Sequence, residues 1–176
     1  PATIAAVTLL AFLPALNNGF LIWDDEEVLL KNPHYRGLGW AELRWMFSTF
    51  HAGHYQPLTW MTFGLDYLLW GMDPSGYHLT NLVLHAANAV IFYSLSLRLL
   101  ALALSRSAAP AEALALRLAA GLAALLFSIH PLRVESVAWV TERRDVLSGF
   151  FFLGGLLCYL QATAAAQSQR RRVGWL

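Results

Sequence analysis

Four blocks of apolar residues, over 2–22, 78–104, 114–130 and 146–166, decide what this chain can fold into. A helix needs about 20 consecutive apolar residues to cross the hydrocarbon of a bilayer. The blocks meet or approach that length, and charged stretches separate them. Only 13% of the residues are charged, about half the fraction usual for a soluble domain. The spacing therefore predicts an all-α, polytopic integral membrane protein with four transmembrane helices. A signal-peptide core is the other reading of the first block. It fits less well, because no small-residue cleavage site precedes the acids that follow and further spans come after them.

Two loops connect the blocks on one side, residues 23–77 and 130–145. The first is long and has structure of its own. Trp40, Leu43, Phe47 and Phe50 recur at helical spacing, with Glu42, Arg44, Ser48 and Thr49 off that stripe. Trp-rich amphipathic helices of this kind lie in the interface plane. Residues 56–72 form another apolar run, interrupted by Thr59, Thr62 and Asp66. It is too short and too polar to span, and reads as an interfacial or re-entrant helix. Asp73-Pro74-Ser75-Gly76 is a turn signal.

His78, Asn81, His85 and Asn88 are spaced by 3, 4 and 3 residues, and so share one face of the second span. They read either as interhelical hydrogen-bonding groups or as the lining of a polar cavity. The two histidines are two turns apart with no carboxylate between them, which does not make a metal pair. No metal site is assigned, although the sequence leaves a divalent ion open.

Lysines and arginines divide equally, six to each side. The loop over 105–116 and the C-terminal tail nevertheless concentrate theirs at helix ends, with Arg98, Arg106, Arg117 and Arg170–Arg172 opposed only by Glu112. That side is expected in the cytoplasm. The acidic loops are expected outside, in the periplasm of a bacterial inner membrane. No basic patch suggests nucleic acid. Cys158 is the single cysteine and forms no internal disulfide. A start at Pro1 and a finish just after a basic run suggest the N-terminal portion of a longer protein.

Two charged clusters could carry chemistry. Asp24, Asp25, Glu26 and Glu27 follow Trp23 directly behind the first span. Crowded carboxylates raise one another's pKa, which suits a base or a cation site; an exposed helix start is the plainer reading. The second cluster holds His130, Arg133, Glu135, Glu142, Arg143, Arg144 and Asp145. Its guanidinium groups match phosphate oxygens, or its members form internal ion pairs. A base facing a cationic group across apolar walls suggests activation of a hydroxyl, with a lipid-linked phosphate as leaving group. An ion-coupled transporter would instead place acids within its spans, and these spans hold none.

The segments IWDDEEVLLKNP, YQPLTWMTFGLDYLLWGMDPSGYHLTNLVLHAANAV and HPLRVESVAWVTERRDVLSGFFFLGGLLCYL resemble bacterial membrane proteins carrying tetratricopeptide repeats. Those are similar to the transmembrane O-mannosyltransferases that target cadherins, in the GT-C glycosyltransferase superfamily. The resemblance covers nearly the whole chain. It implies a lumenal or periplasmic active site and a polyprenyl-phosphate monosaccharide as donor. It also implies inverting transfer of a mannose-like sugar to a hydroxyl acceptor such as protein Ser or Thr. Asp24, with Asp25 beside it, maps to the family's acidic pair, the first being the base. His130, Glu135, Arg143, Arg144 and Asp145 map less specifically to the donor site, and His78, Asn81, His85 and Asn88 to the cavity lining. Family members have more spans, and the expected repeats are absent here, so the chain is expected to be inactive alone. A non-catalytic membrane anchor of a repeat scaffold and a small-solute transporter are the rival expectations.

Overall fold

A computed structural model describes residues 1–104 and 110–173, with the backbone alone from 165 to 173. Arg106 and the side chains of Arg170, Arg171 and Arg172, on which the expected orientation partly rests, lie outside the described residues. The fold is all helical among the described residues, as the apolar blocks predict.

Three helices are long and apolar enough to cross a membrane. They are α4 (Pro74–Leu104), α5 (Pro110–Ser128) and α7 (Arg143–Val173). The first apolar block is shorter than the expected 2–22. Helix α1 (Ala2–Phe12) tightens into a 3₁₀ turn over Leu13–Asn17 and stops there. Pro14 at that turn has no N–H to continue the α-helical ladder, and Asn18 turns extended. The two pieces together reach about 26 Å, against about 30 Å of hydrocarbon.

Helix α4 is the central post, packing against α1, α5 and α7. Small residues permit the α4–α5 approach: Ala120, Ala124 and Ser128 repeat every fourth position of α5 and are all buried. Ile4 joins Ala89 and Ala124 in one apolar cluster, and Phe12 joins Leu82, Val137 and Val146 in another.

The first loop forms a third cluster, built around aromatic rings. Val28, Leu29, Tyr35, Met46, Trp60, Phe63, Tyr77 and Val140 are all buried in it. Its helices are α2 (Trp40–Ser48) and α3 (Pro57–Trp70). Met46 faces inward from α2, whereas Trp40, Phe47 and Phe50 of the expected aromatic stripe point outward. The backbone over 35–37 runs hard against α3 at Gly64. A Cβ there would lie 2.4 Å from the Gly37 carbonyl oxygen and 2.9 Å from that of Tyr35. Gly71 ends α3 at φ 62°, a left-handed conformation that favours glycine. The second loop is the short helix α6 (Arg133–Ala138) and a turn into α7.

Candidate active site

The two loops meet at one end of the bundle, and Asp25 is where they join. Its side chain is fully buried. One carboxylate oxygen accepts the Leu21 N–H at 2.9 Å. The other accepts the Thr141 N–H at 2.9 Å and the Thr141 hydroxyl. Trp23 stacks on Trp139 beside this tie, with ring centroids 5.6 Å apart.

The four consecutive acids consequently occupy four different environments. Asp24 is half-buried and has no partner among the described residues. Asp25 is tied to Leu21 and Thr141. Glu26 pairs with Lys31 at 2.9 Å on the surface. Glu27 is exposed, just before the buried Val28 and Leu29. A single helical-type turn over Glu26–Leu30 turns the last two acids away from the first two.

Arg143 is also fully buried, two residues beyond Thr141. Its Nε donates to Asn81 Oδ1 at 2.7 Å, and one terminal nitrogen to the Tyr77 carbonyl at 2.7 Å. The other forms an ion pair with Asp66 and reaches Thr62 Oγ1 at 3.4 Å. The guanidinium also lies 4.5 Å over the Phe63 ring. Burial raises the Asp66 carboxyl above its ordinary value, and Arg143 and the Thr80 hydroxyl pull it back. A buried charge is tolerated only when paired and hydrogen-bonded in this way. Arg143 thus braces α3, α4 and α7 together, with its side chain wholly out of contact with solvent.

Arg144 emerges on the surface instead. It pairs with Glu142 and lines a cavity of about 380 Å³ between α3 and α7. Tyr55, Gln56 and Ser148 share the polar part of that wall, and Leu58, Leu147 and Phe151 the apolar part. Gln56 Oε1 is buried there without a hydrogen-bond partner.

The other residues of the second cluster stand apart. His130 is exposed, and its Nδ1 accepts the Leu132 N–H at 3.2 Å. Glu135 is exposed on α6. Asp145 accepts the Ser136 hydroxyl at 3.2 Å on the flank of α7 away from Arg144.

The polar stripe of α4 acts mainly as a row of interhelical clasps. Asn81 donates to the Trp139 carbonyl at 3.1 Å, and to those of Val137 and Val140 at 3.4 Å. The Trp139 and Val140 carbonyls also accept the Glu142 and Arg143 N–H groups of the turn into α7, so Asn81 clasps that turn as a second donor. His85 meets the Ser128 carbonyl at 2.8 Å, and Asn88 donates to that of Val146 at 2.8 Å. His78 is buried with neither ring nitrogen hydrogen-bonded. His85 and Asn88 also line a cavity, whereas Asn81 is sealed among backbone carbonyls.

Sequence reasoning missed Thr141 and Asp66 as partners of the charged clusters. Thr59, Thr62 and Asp66 did stand out as polar breaks in an apolar run, and a buried carboxylate implies a buried cation. Among the described residues no group of three or more His, Cys, Asp or Glu side chains is placed to hold a metal ion.

Comparison with known proteins gives relatives over most of the chain. It is 32% identical over 166 residues to protein O-mannosyl-transferase tmtc2 of Xenopus laevis, covering 89% of this chain and 18% of that protein. It is 33% identical over 168 residues to protein O-mannosyl-transferase TMTC4 of Mus musculus, covering 90% of this chain and 22% of that protein. With protein O-mannosyl-transferase TMTC3 of Mus musculus it shares 39% identity over 108 residues, 61% of this chain and 10% of that protein. The chain thus spans about a fifth of the length of the first two of these curated relatives. No protein-family model matches it, and no solved structure does.

Proposed function

The chain is a homologue of the protein O-mannosyl-transferases, and from that premise we propose that it forms part of a membrane glycosyltransferase. The donor is a polyprenyl-phosphate monosaccharide with a mannose-like sugar. The acceptor is a hydroxyl, that of a protein Ser or Thr in the first instance. The loop-bearing end of the bundle lies on the non-cytoplasmic side of the membrane, in keeping with the loop charges.

Asp24 is the base. The observation that carries this assignment is the division of labour within the acid pair. Asp25 is held by three donors, while Asp24 projects beside it with its carboxylate free. In the transfer step Asp24 takes the proton of the acceptor hydroxyl as its oxygen attacks the anomeric carbon. The bond from that carbon to the phosphate oxygen breaks, with inversion, and the electron pair leaves on the phosphate. A positioned carboxylate contributes typically 10²- to 10⁴-fold to such a step.

Arg144 receives the departing phosphate. Its cavity is polar at the Arg144 end and apolar along Leu58, Leu147 and Phe151, which suits a phosphate head followed by an isoprenoid tail. Arg143 is assigned to the frame rather than to the donor. His130 and Glu135 are not given a part in the transfer, since neither bonds to the first loop among the described residues.

The test uses the full-length protein in membranes, supplied with radiolabelled polyprenyl-phosphate mannose. Transfer of label into protein is expected for the wild type and is expected to be lost in Asp24→Asn with expression unchanged. Equal labelling by both proteins would remove Asp24 as base. No labelling by either would favour a non-catalytic anchor.

A further inference from the structure

The flank of α7 opposite Arg144 carries a second cavity, of about 240 Å³, between α4, α5, α6 and α7. Its rim holds Arg133, Ser136 and Asp145, and its walls include Phe92, Phe127 and Phe152. Asp145 and Phe152 are two turns apart on α7, roughly 10 Å along the axis. The cavity therefore runs from the charged loop down into the span, and Phe152 is 71% exposed at its lower edge.

The rim charges are unusual in not pairing with each other. The Arg133 guanidinium lies 4.5 Å over the Phe127 ring and has no ion-pair partner among the described residues. Asp145 takes only the Ser136 hydroxyl. Deeper in, Asn88 donates through Nδ2 to the Val146 carbonyl, which fixes the orientation of its amide and leaves Oδ1 buried without a donor. Such an unmet buried acceptor is destabilising until a donor reaches it. A ligand complementary to this set carries an anion for Arg133, N–H donors for Asp145 and Asn88, and an apolar part for the aromatic walls.

We propose that this cavity is the headgroup site of a phospholipid whose phosphate is followed by a primary ammonium, an ethanolamine-type lipid. The phosphate oxygens accept from the Arg133 fork. The ammonium has three donors and turns toward Asp145 and Asn88 Oδ1. The volume admits the headgroup, and the acyl chains run outside along Phe152. A choline headgroup has no N–H to give, and a glycerol headgroup has no cation to set against Asp145. The site lies across α7 from the Arg144 cavity and does not depend on the transferase reading.

Native mass spectrometry of the full-length protein, equilibrated with phosphatidylethanolamine, phosphatidylcholine or phosphatidylglycerol of matched chains, tests it. The wild type is expected to retain phosphatidylethanolamine at least about tenfold better than either other lipid. Arg133→Gln and Asp145→Asn are each expected to bring retention down to the phosphatidylcholine level, with helicity by circular dichroism unchanged. Equal retention of the ethanolamine and choline lipids by the wild type would overturn the site whatever the variants do. So would glycerol-lipid retention matching that of the ethanolamine lipid, or undiminished retention in either variant.

Discussion

Asp25 and Thr141 lie 116 positions apart in the chain and are joined by two hydrogen bonds in the buried floor between the loops. This tie holds the turn that presents Asp24, so under the proposed mechanism it positions the base without touching the substrate. Thr141→Val is expected to leave Asp25 short of one donor, costing about 1–3 kcal/mol of stability and lowering transfer. Thr141→Ser keeps the hydroxyl and should restore both. Thermal unfolding in detergent, alongside the transfer assay, distinguishes the two variants. Loss in Thr141→Ser with Thr141→Val unaffected would show that the methyl group, not the hydroxyl, matters.

Removing either partner of the Arg143–Asp66 pair leaves an uncompensated charge in the interior, which costs about 3–5 kcal/mol. Asp66→Ala and Arg143→Ala are each expected to unfold the loop end of the bundle at lower temperature. Their combination should cost well short of the sum. Arg143→Lys should rescue poorly, because one ammonium cannot reach Asn81, Asp66 and the Tyr77 carbonyl together. A double-mutant cycle read by thermal unfolding supplies the coupling.

Gly64→Ala puts a methyl group into the Gly37 carbonyl oxygen. Neither backbone has a flexible side chain to move aside, so a cost of about 1–3 kcal/mol is expected. Proteolysis of the first loop should accelerate. Gly19, whose Cβ direction is open, provides the matching control as Gly19→Ala.

Arg144→Gln removes the cation at the α3–α7 cavity while the frame stays intact. The expected result is a roughly ten- to hundredfold rise in KM for the lipid donor, the range of one or two charge-assisted hydrogen bonds. Unchanged KM with unchanged kcat would separate Arg144 from donor binding.

Much of the architecture was legible in the sequence. Apolar block length predicts the helices, and the 3-4-3 spacing of His78, Asn81, His85 and Asn88 correctly puts them on one buried face. The fates of adjacent like residues were not legible. Arg143 and Arg144 are identical in type and neighbours in the chain, and the phase of α7 sends one inside and the other out. The same holds for Asp24 and Asp25. In each pair the deciding partner, Asp66 for Arg143 and Thr141 for Asp25, lies more than 70 residues away. Local pattern carries no information about it. The early end of α1 has a local cause, Pro14 followed by Asn17-Asn18-Gly19, which hydrophobicity alone overrides when a span is counted.

The tie between Asp25 and Thr141 has a consequence for how such a chain is made. Thr141 follows both α4 and α5, so during synthesis the acid pair waits with a carboxylate unmet until those two helices have been delivered to the membrane. The setting of Asp24 is therefore completed only as α7 begins to enter, and shorter nascent chains lack it.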